Sequence, residues 1–481
     1  MRPAGVLLLA ALGLAARAGP APAASARVGA SVEVKRRTPE RWGRLDFDPS
    51  RFFEPEEMAA WSRFRNLNRA LSLVGLGVLF FLYLVLLRTR LSDWLLARAQ
   101  AAARRLGSIV PDGSALSRSS RFLARAFGED WAEALLYTLF LMLFLDLAFL
   151  PLDVTAELVA QAEGLSNYTA LTWLADLGKS LLLAAFGYTS LVFGLFGLVR
   201  RFPRRWWWIL GGPAALLLVA YGVVSPYRAR LYYDFEPLPD TSLKRRIEAM
   251  AEREGVPLHA VKVRRESRTS KVLNAYIAGV GAGRELVLYD TLLEALDEDQ
   301  ILAAVAHELA HERQHDVVRD ALLSAGGLLL LLFLVATVLR RFGRGFGHAG
   351  PGDVRNLPLM LLTLSLAFTV ARPVVNAHSR ARELEADRIA LTMTGDPEAF
   401  VSLQVALARR NKADVVKPWW VEWWFSTHPS VYERIGTALW YEAWLRERGY
   451  PVPAPAPGRT RAGDQTGGSA AGGTTPRPSK R

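Results

Sequence analysis

The chain has no cysteine among its 481 residues, and only seven histidines and six methionines. The missing cysteine excludes disulfides, thiolate catalysis and thiolate metal sites, so any bound metal rests on His, Asp or Glu. No internal repeat and no motif of a nucleic-acid-binding fold occurs, so the net charge of +13 does not point to nucleic acid. Much of the arginine lies instead in short connections beside long apolar runs, where membrane topology accounts for it.

The apolar runs are the dominant feature. Six stretches are long and apolar enough to span a bilayer: 70–87, 131–151, 177–199, 206–225, 321–339 and 357–375. Asp146 and Lys179 are the notable ionisable residues inside them. A transporter would carry more, since its substrate path is marked by such groups. Residues 1–25 read as a secretory signal peptide, with one early Arg, an apolar core and an Ala-x-Ala pattern, or alternatively as a first spanning helix. The expected organisation is that segment, a polar segment at 26–69, an N-terminal membrane region at 70–230, a catalytic domain with two spans at 231–450, and a disordered Pro/Gly-rich tail at 451–481.

Between the spans, "DTSLKRRIEAMAEREGV" reads as a helix closed by Gly255, and "AVKVRRE", "NAYIAGV" and "RELVLYD" read as strands. "DEDQILAAVAHELAHERQHD" then reads as a helix with an acidic start. On it His307 and His311 stand four apart, one turn along one face, a spacing that lets both imidazoles reach one tetrahedral Zn²⁺. Glu308 lies beside them as the general base, because the metal lowers a water's pKa to about 7 and a neighbouring carboxylate takes the proton. The alanines around the motif (303, 304, 306, 310) leave room for a partner helix. His315 continues the row but lies about 6 Å further along the axis, out of reach of the same ion.

A catalytic zinc has three protein ligands and an open position. "RELEAD" supplies the third: Glu383 and Asp387 share a helical face, with Glu383 on zinc and Asp387 bonded to a histidine ligand. His378 is the alternative ligand. After the last span, "HSRARELEADRIALTMTG" reads as a helix stopped by Gly395.

The order of these motifs resembles the integral-membrane zinc metallopeptidases of the type 1 CAAX prenyl endopeptidase and HtpX kind. Ser379, Arg380, Glu383, Ala386 and Asp387 match that family's Ser-Arg-x-x-Glu-x-x-Ala-Asp pattern, and His428, Pro429, Arg434 and Ile435 match its His-Pro-x-x-x-x-Arg-Ile element. The resemblance runs from about 235 to 440 and implies a mainly α fold. That fold is a polytopic helix bundle of six spans, plus a signal peptide or seventh span, with a gluzincin-like catalytic element containing a small β-sheet. It implies a zinc endopeptidase with one Zn²⁺ per chain, a peptide or protein substrate, and a setting in the lipid bilayer, here a bacterial inner membrane. Asn274, Ala275 and Tyr276 would lie on the edge strand that pairs with substrate. His428 would donate to the developing oxyanion, and Arg434 would pair with a carboxylate near the site. A quality-control protease for membrane or envelope proteins is the alternative to a CAAX processor. The tryptophans at 419, 420, 423 and 424 are expected at the membrane interface.

Two indications of orientation oppose each other. Residues 88–125 carry eight Arg, residues 200–205 four and residues 340–355 four, while 152–176 carries no Lys or Arg. That count places the Arg-rich loops in the cytoplasm and the zinc helix on the outer side. The family resemblance implies a site open to the cytosol.

Overall fold

The computed structural model describes residues 38–109, 119–120, 130–214, 232–279, 283–314 and 316–453. The first helix, α1 (Pro55–Arg88), starts fifteen residues before the apolar run of its sequence. Pro55 stands at its first turn and a capping box joins Glu54 to Glu57, so the start is set by local chemistry rather than by hydropathy. α2 (Leu91–Ile109) follows in the Arg-rich connection, then α3 (Trp131–Ala162). α4 (Ala170–Leu183), a π-helical turn (Ala184–Tyr188) and α5 (Thr189–Arg201) make one continuous apolar rod.

The catalytic region begins with a strand the sequence did not suggest, β1 (Phe235–Pro237), and continues through α6 (Ser242–Arg253), β2 (Ala260–Arg264), β3 (Ala275–Ala278) and β4 (Glu285–Tyr289). The sheet order is β1-β2-β4-β3, with β2 and β4 parallel and both outer pairs antiparallel, so β3 is an edge. A short α7 (Asp290–Ala295) leads to α8 (Glu298–Arg313). Asp297 caps α8 by accepting from the backbone of Asp299 and Gln300, and Gln300 returns the bond. α9 (Asp316–Phe342) then runs into the bundle. α10 (Leu357–Thr394) joins the last span and the "RELEAD" segment in one uninterrupted helix of 38 residues, although Pro373 lies inside it. It ends at Gly395, left-handed at φ 63°. α11 (Pro397–Asn411), α12 (Trp419–Phe425) and α13 (Val431–Glu447) complete the chain.

Five stretches among the described residues are long and apolar enough to cross a membrane: Pro55–Arg88, Trp131–Ala162, Ala170–Arg201, Leu322–Phe342 and Val354–Thr394. The expected span at 206–225 is helical to residue 214 and continues outside the described residues, as does the N-terminal segment 1–25. Two cores divide the molecule. One joins α1, α2, α3, α5, α9 and the start of α10. The other joins the sheet, α6, α8, α11, α13 and the end of α10. α10 is common to both, as is α1, which gives Trp61 to the second core and Leu79 and Tyr83 to the first.

The bundle has two distinct ends. At one, Arg355 pairs with Asp93 at 2.8 Å, and Arg200 reaches Asp130 at 2.7 Å and the Gly352 carbonyl at 2.9 Å, so the three Arg-rich connections lie together. At the other, the loop after α3 docks on the catalytic domain, with Asn167 N donating to Thr269 O at 3.0 Å. The segment before α1 docks there too: Leu45 N donates to Gly436 O at 3.0 Å, Trp42 stacks on Tyr441, and Phe47 stacks on Tyr432.

Candidate active site

α8 and α10 cross face to face through small side chains. Ala303, Ala306 and Ala310 of α8 and Ala386 and Ala390 of α10 are all fully buried. Their size lets the two backbones approach, and the polar side chains interspersed with them meet in the seam. His307, His311 and Glu383 are brought together there, with one ligand atom from each lying within 4.8 Å of the others. His307 Nε2 is 3.3 Å from His311 Nε2 and 3.2 Å from Glu383 Oε2, and His311 Nε2 is 3.6 Å from Glu383 Oε1.

Behind this cluster Asp387, with no exposed surface, accepts from His307 Nδ1 at 2.9 Å. Arg434 of α13 donates to the same carboxylate through Nε at 2.8 Å and Nη2 at 2.5 Å. This bidentate fork neutralises a carboxylate that burial alone would disfavour. With Nδ1 committed to Asp387, His307 Nε2 presents its lone pair toward Glu383 Oε2, a buried oxygen without a hydrogen-bond partner. Burial opposes a charge on His307, but the hydrogen bond it donates to Asp387 and the negative charges of Asp387 and Glu383 outweigh it and push its pKa up to about 10. A pocket where acceptors converge and positive charge is favoured fits a divalent cation held by two imidazoles and a carboxylate.

Glu308 is half-buried on the same turn, and its charge is felt at Arg434. His428 comes from the loop before α13 and places Nε2 3.4 Å from Glu383 Oε2, while its Nδ1 lies 2.9 Å from the Thr427 hydroxyl. Sequence reasoning passed over Thr427, whose only signal was its place directly before His428. The alternative ligand His378 is elsewhere, half-exposed with Nε2 3.0 Å from Asp320, and His315 lies outside the described residues. Ala275 and Tyr276 lie on edge strand β3 and Asn274 just before it; β3 packs against α8. Arg380, one turn before Glu383, donates to the carbonyls of Glu422 and Ser426, and Asn376 to that of Trp424 at 2.7 Å. These bonds fasten α12 to α10, with Trp419, Trp420 and Trp423 exposed.

Residues 237–441 match the profile of Peptidase family M48. The metalloprotease YhfN of Bacillus subtilis is 29% identical over 397 residues, covering 81% of this chain and 87% of that protein. CAAX prenyl protease 1 of Saccharomyces cerevisiae is 26% identical over 316 residues, covering 61% and 68%. The crystal structure of S. mikatae Ste24p superposes with a TM-score of 0.68 at 20% identity, over 90% of this chain and 97% of that one, which establishes a common fold. The two helices that bring His307, His311 and Glu383 together thus lie within the region matched by the Peptidase family M48 profile, and the chain, a multi-pass membrane protein, is a zinc metalloendopeptidase similar to that family through residues 237–441.

Proposed function

We propose that the chain holds one Zn²⁺ through His307, His311 and Glu383, and cuts extended segments of membrane-associated polypeptides. The observation that carries this is the convergence of His307 Nε2, His311 Nε2 and Glu383 in a buried seam braced by Asp387. When bound, the ion supplies Lewis acidity, lowering the pKa of a water to about 7 and polarising the scissile carbonyl. Glu308, on the turn that carries both histidines, takes the proton of the attacking water and passes it to the leaving amine. Asp387 fixes the His307 tautomer and ring orientation, and Arg434 keeps Asp387 charged and in place. Thr427 donates to His428 Nδ1, which leaves the proton on Nε2, the nitrogen facing the cluster, where it stabilises the oxyanion as charge develops.

The backbone of the substrate lies along β3 beside Asn274, Ala275 and Tyr276, because a free sheet edge beside the zinc helix aligns a chain in the extended form hydrolysis requires. Membrane-associated substrates follow from α10, which carries Glu383 on the same rigid rod as a membrane span. A prenylated C-terminal peptide, the substrate named for the yeast relative, and a damaged membrane or envelope protein both belong to this class. A bacterial membrane, the inner one where the cell has two, is the setting we favour, since a relative from Bacillus covers most of the chain. The test is an inventory of peptides that accumulate in cells carrying Glu308→Gln, with zinc content measured on the purified variant. The variant keeps its zinc and loses cleavage; a fully active Glu308→Gln protein would end this reading.

A further inference from the structure

The register of β3 shows which of its backbone groups face outward. Tyr289 N donates to Asn274 O, and Ala275 is opposite Leu288, so residues 274, 276 and 278 bond inward to β4. The N–H and C=O groups of the odd-numbered residues point to the open edge. Following that edge backward from Ala275, each outward group is already taken. Leu273 N donates to Asn411 Oδ1 at 3.0 Å and Leu273 O accepts from Asn411 Nδ2 at 3.3 Å, so one carboxamide pairs with Leu273 as a neighbouring peptide group would. Lys271 O accepts from Arg410 Nε at 3.0 Å, Lys271 N donates to Leu165 O at 3.1 Å, and Thr269 O accepts from Asn167 N at 3.0 Å. Ser166 and Ser270 form an antiparallel bridge. Forward of Ala278 the strand leaves the sheet at Gly279, left-handed at φ 88°. Among the described residues, only Ala275 and Ile277 keep outward groups without a partner from this chain.

Asn411 is held in this role from several directions. It is the last residue of α11, and Lys412 after it adopts a left-handed backbone at φ 49°, the one non-glycine residue among those described to do so. Such a conformation is costly for a side chain bearing a Cβ and persists where its surroundings impose it. Arg65 of α1 donates to the carbonyls of Asn411 and Lys412, and Lys412 Nζ pairs with Glu163 at 2.5 Å. Membrane region and catalytic domain thus meet where the edge closes.

We infer that Asn411 is a specificity-determining residue: its carboxamide ends the pairing edge at Leu273, so a bound substrate pairs with Ala275 and Ile277 alone and must leave the sheet beyond them. This rests on the edge-strand reading given above. The measuring length is short, two residues of the substrate contributing backbone N–H groups two positions apart, whether the chain runs parallel or antiparallel. Beyond that point the substrate turns away or ends, which selects for chain termini and for segments able to bend.

The test is a backbone N-methylation scan of a peptide that the wild-type enzyme cuts at one bond, read as kcat/KM at each position. For the wild type we expect losses on the order of two- to tenfold, the worth of one net hydrogen bond, at two positions two residues apart. In Asn411→Ala, with zinc content equal to wild type, Leu273 is released and a third sensitive position appears two residues further along. Asn411→Ser serves the same purpose if the alanine variant does not fold. A third sensitive position already present in the wild type, or an unchanged pattern in both variants, overturns the role of Asn411 and leaves β3 as the binding edge. A wild-type scan with no two-residue spacing overturns the edge-strand reading itself, and the inference with it.

Discussion

Changing Asp387 to Asn isolates the contribution of a residue that would touch neither metal nor substrate. Asp387 has no exposed surface and accepts three bonds, one from His307 Nδ1 at 2.9 Å and two from Arg434 at 2.8 and 2.5 Å. The amide keeps the shape but removes the charge, so the imidazole loses part of its basicity and its orientation is held by a weaker bond. Outer partners of this kind change metal affinity by about 10- to 100-fold, which at 1.4 kcal/mol per decade is about 1.4–2.8 kcal/mol. Arg434 also loses its counter-charge, and a bond to a charged group contributes about 1.5–3 kcal/mol. The metal-free protein should therefore melt lower as well. Zinc affinity is read by competition with a chromophoric chelator on detergent-solubilised protein, and the melting temperature is taken with and without metal. An affinity within about twofold of wild type would show that Asp387 does not tune His307, and the link from Arg434 through Asp387 to the metal would fall.

Glu383→Ala removes the proposed third ligand and should leave the purified protein with a small fraction of its zinc, measured by elemental analysis; full retention would assign the third position to another residue. Ala386→Leu places a branched side chain in the fully buried seam between α8 and α10, at a cost of about 1–3 kcal/mol, and should lower zinc occupancy together with melting temperature. Reporter fusions at 202 and 350 should read one side of the membrane and a fusion after 450 the other, since Arg200 contacts Gly352 while the catalytic domain sits at the opposite end. By the arginine count the first two read cytoplasmic; a periplasmic reading at 202 and 350 would instead support the orientation implied by the family.

The parts of the site that were legible in the sequence are those built on local spacing. His307 with His311, and Glu383 with Asp387, each stand four apart, and helical geometry alone puts such pairs on one face. The small residues around both pairs announced a close crossing, and the crossing is there. What escaped reading depends on contacts far apart in the chain. Asn411 looks like an ordinary helix end, and nothing near it in sequence reveals that it completes a strand edge at Leu273. β1 is three residues long and carries no alternation to detect. The continuity of α10 was hidden for another reason. Hydropathy stops at residue 375 and Pro373 suggests a break, yet the same helix continues to Thr394 because its second half is anchored in the catalytic core.

The docking of Leu45 on Gly436 has a consequence for biogenesis. The segment before α1 emerges early from the ribosome, and its seat on α13 is made roughly 390 residues later, a delay of about 20–80 s at ~5–20 residues per second. α13 also delivers Arg434 to Asp387. A partly synthesised chain already holds both histidines but lacks the guanidinium that steadies them. The guanidinium that braces Asp387 therefore arrives only with α13, among the last of the described elements to be made, on the same helix that receives the segment before α1.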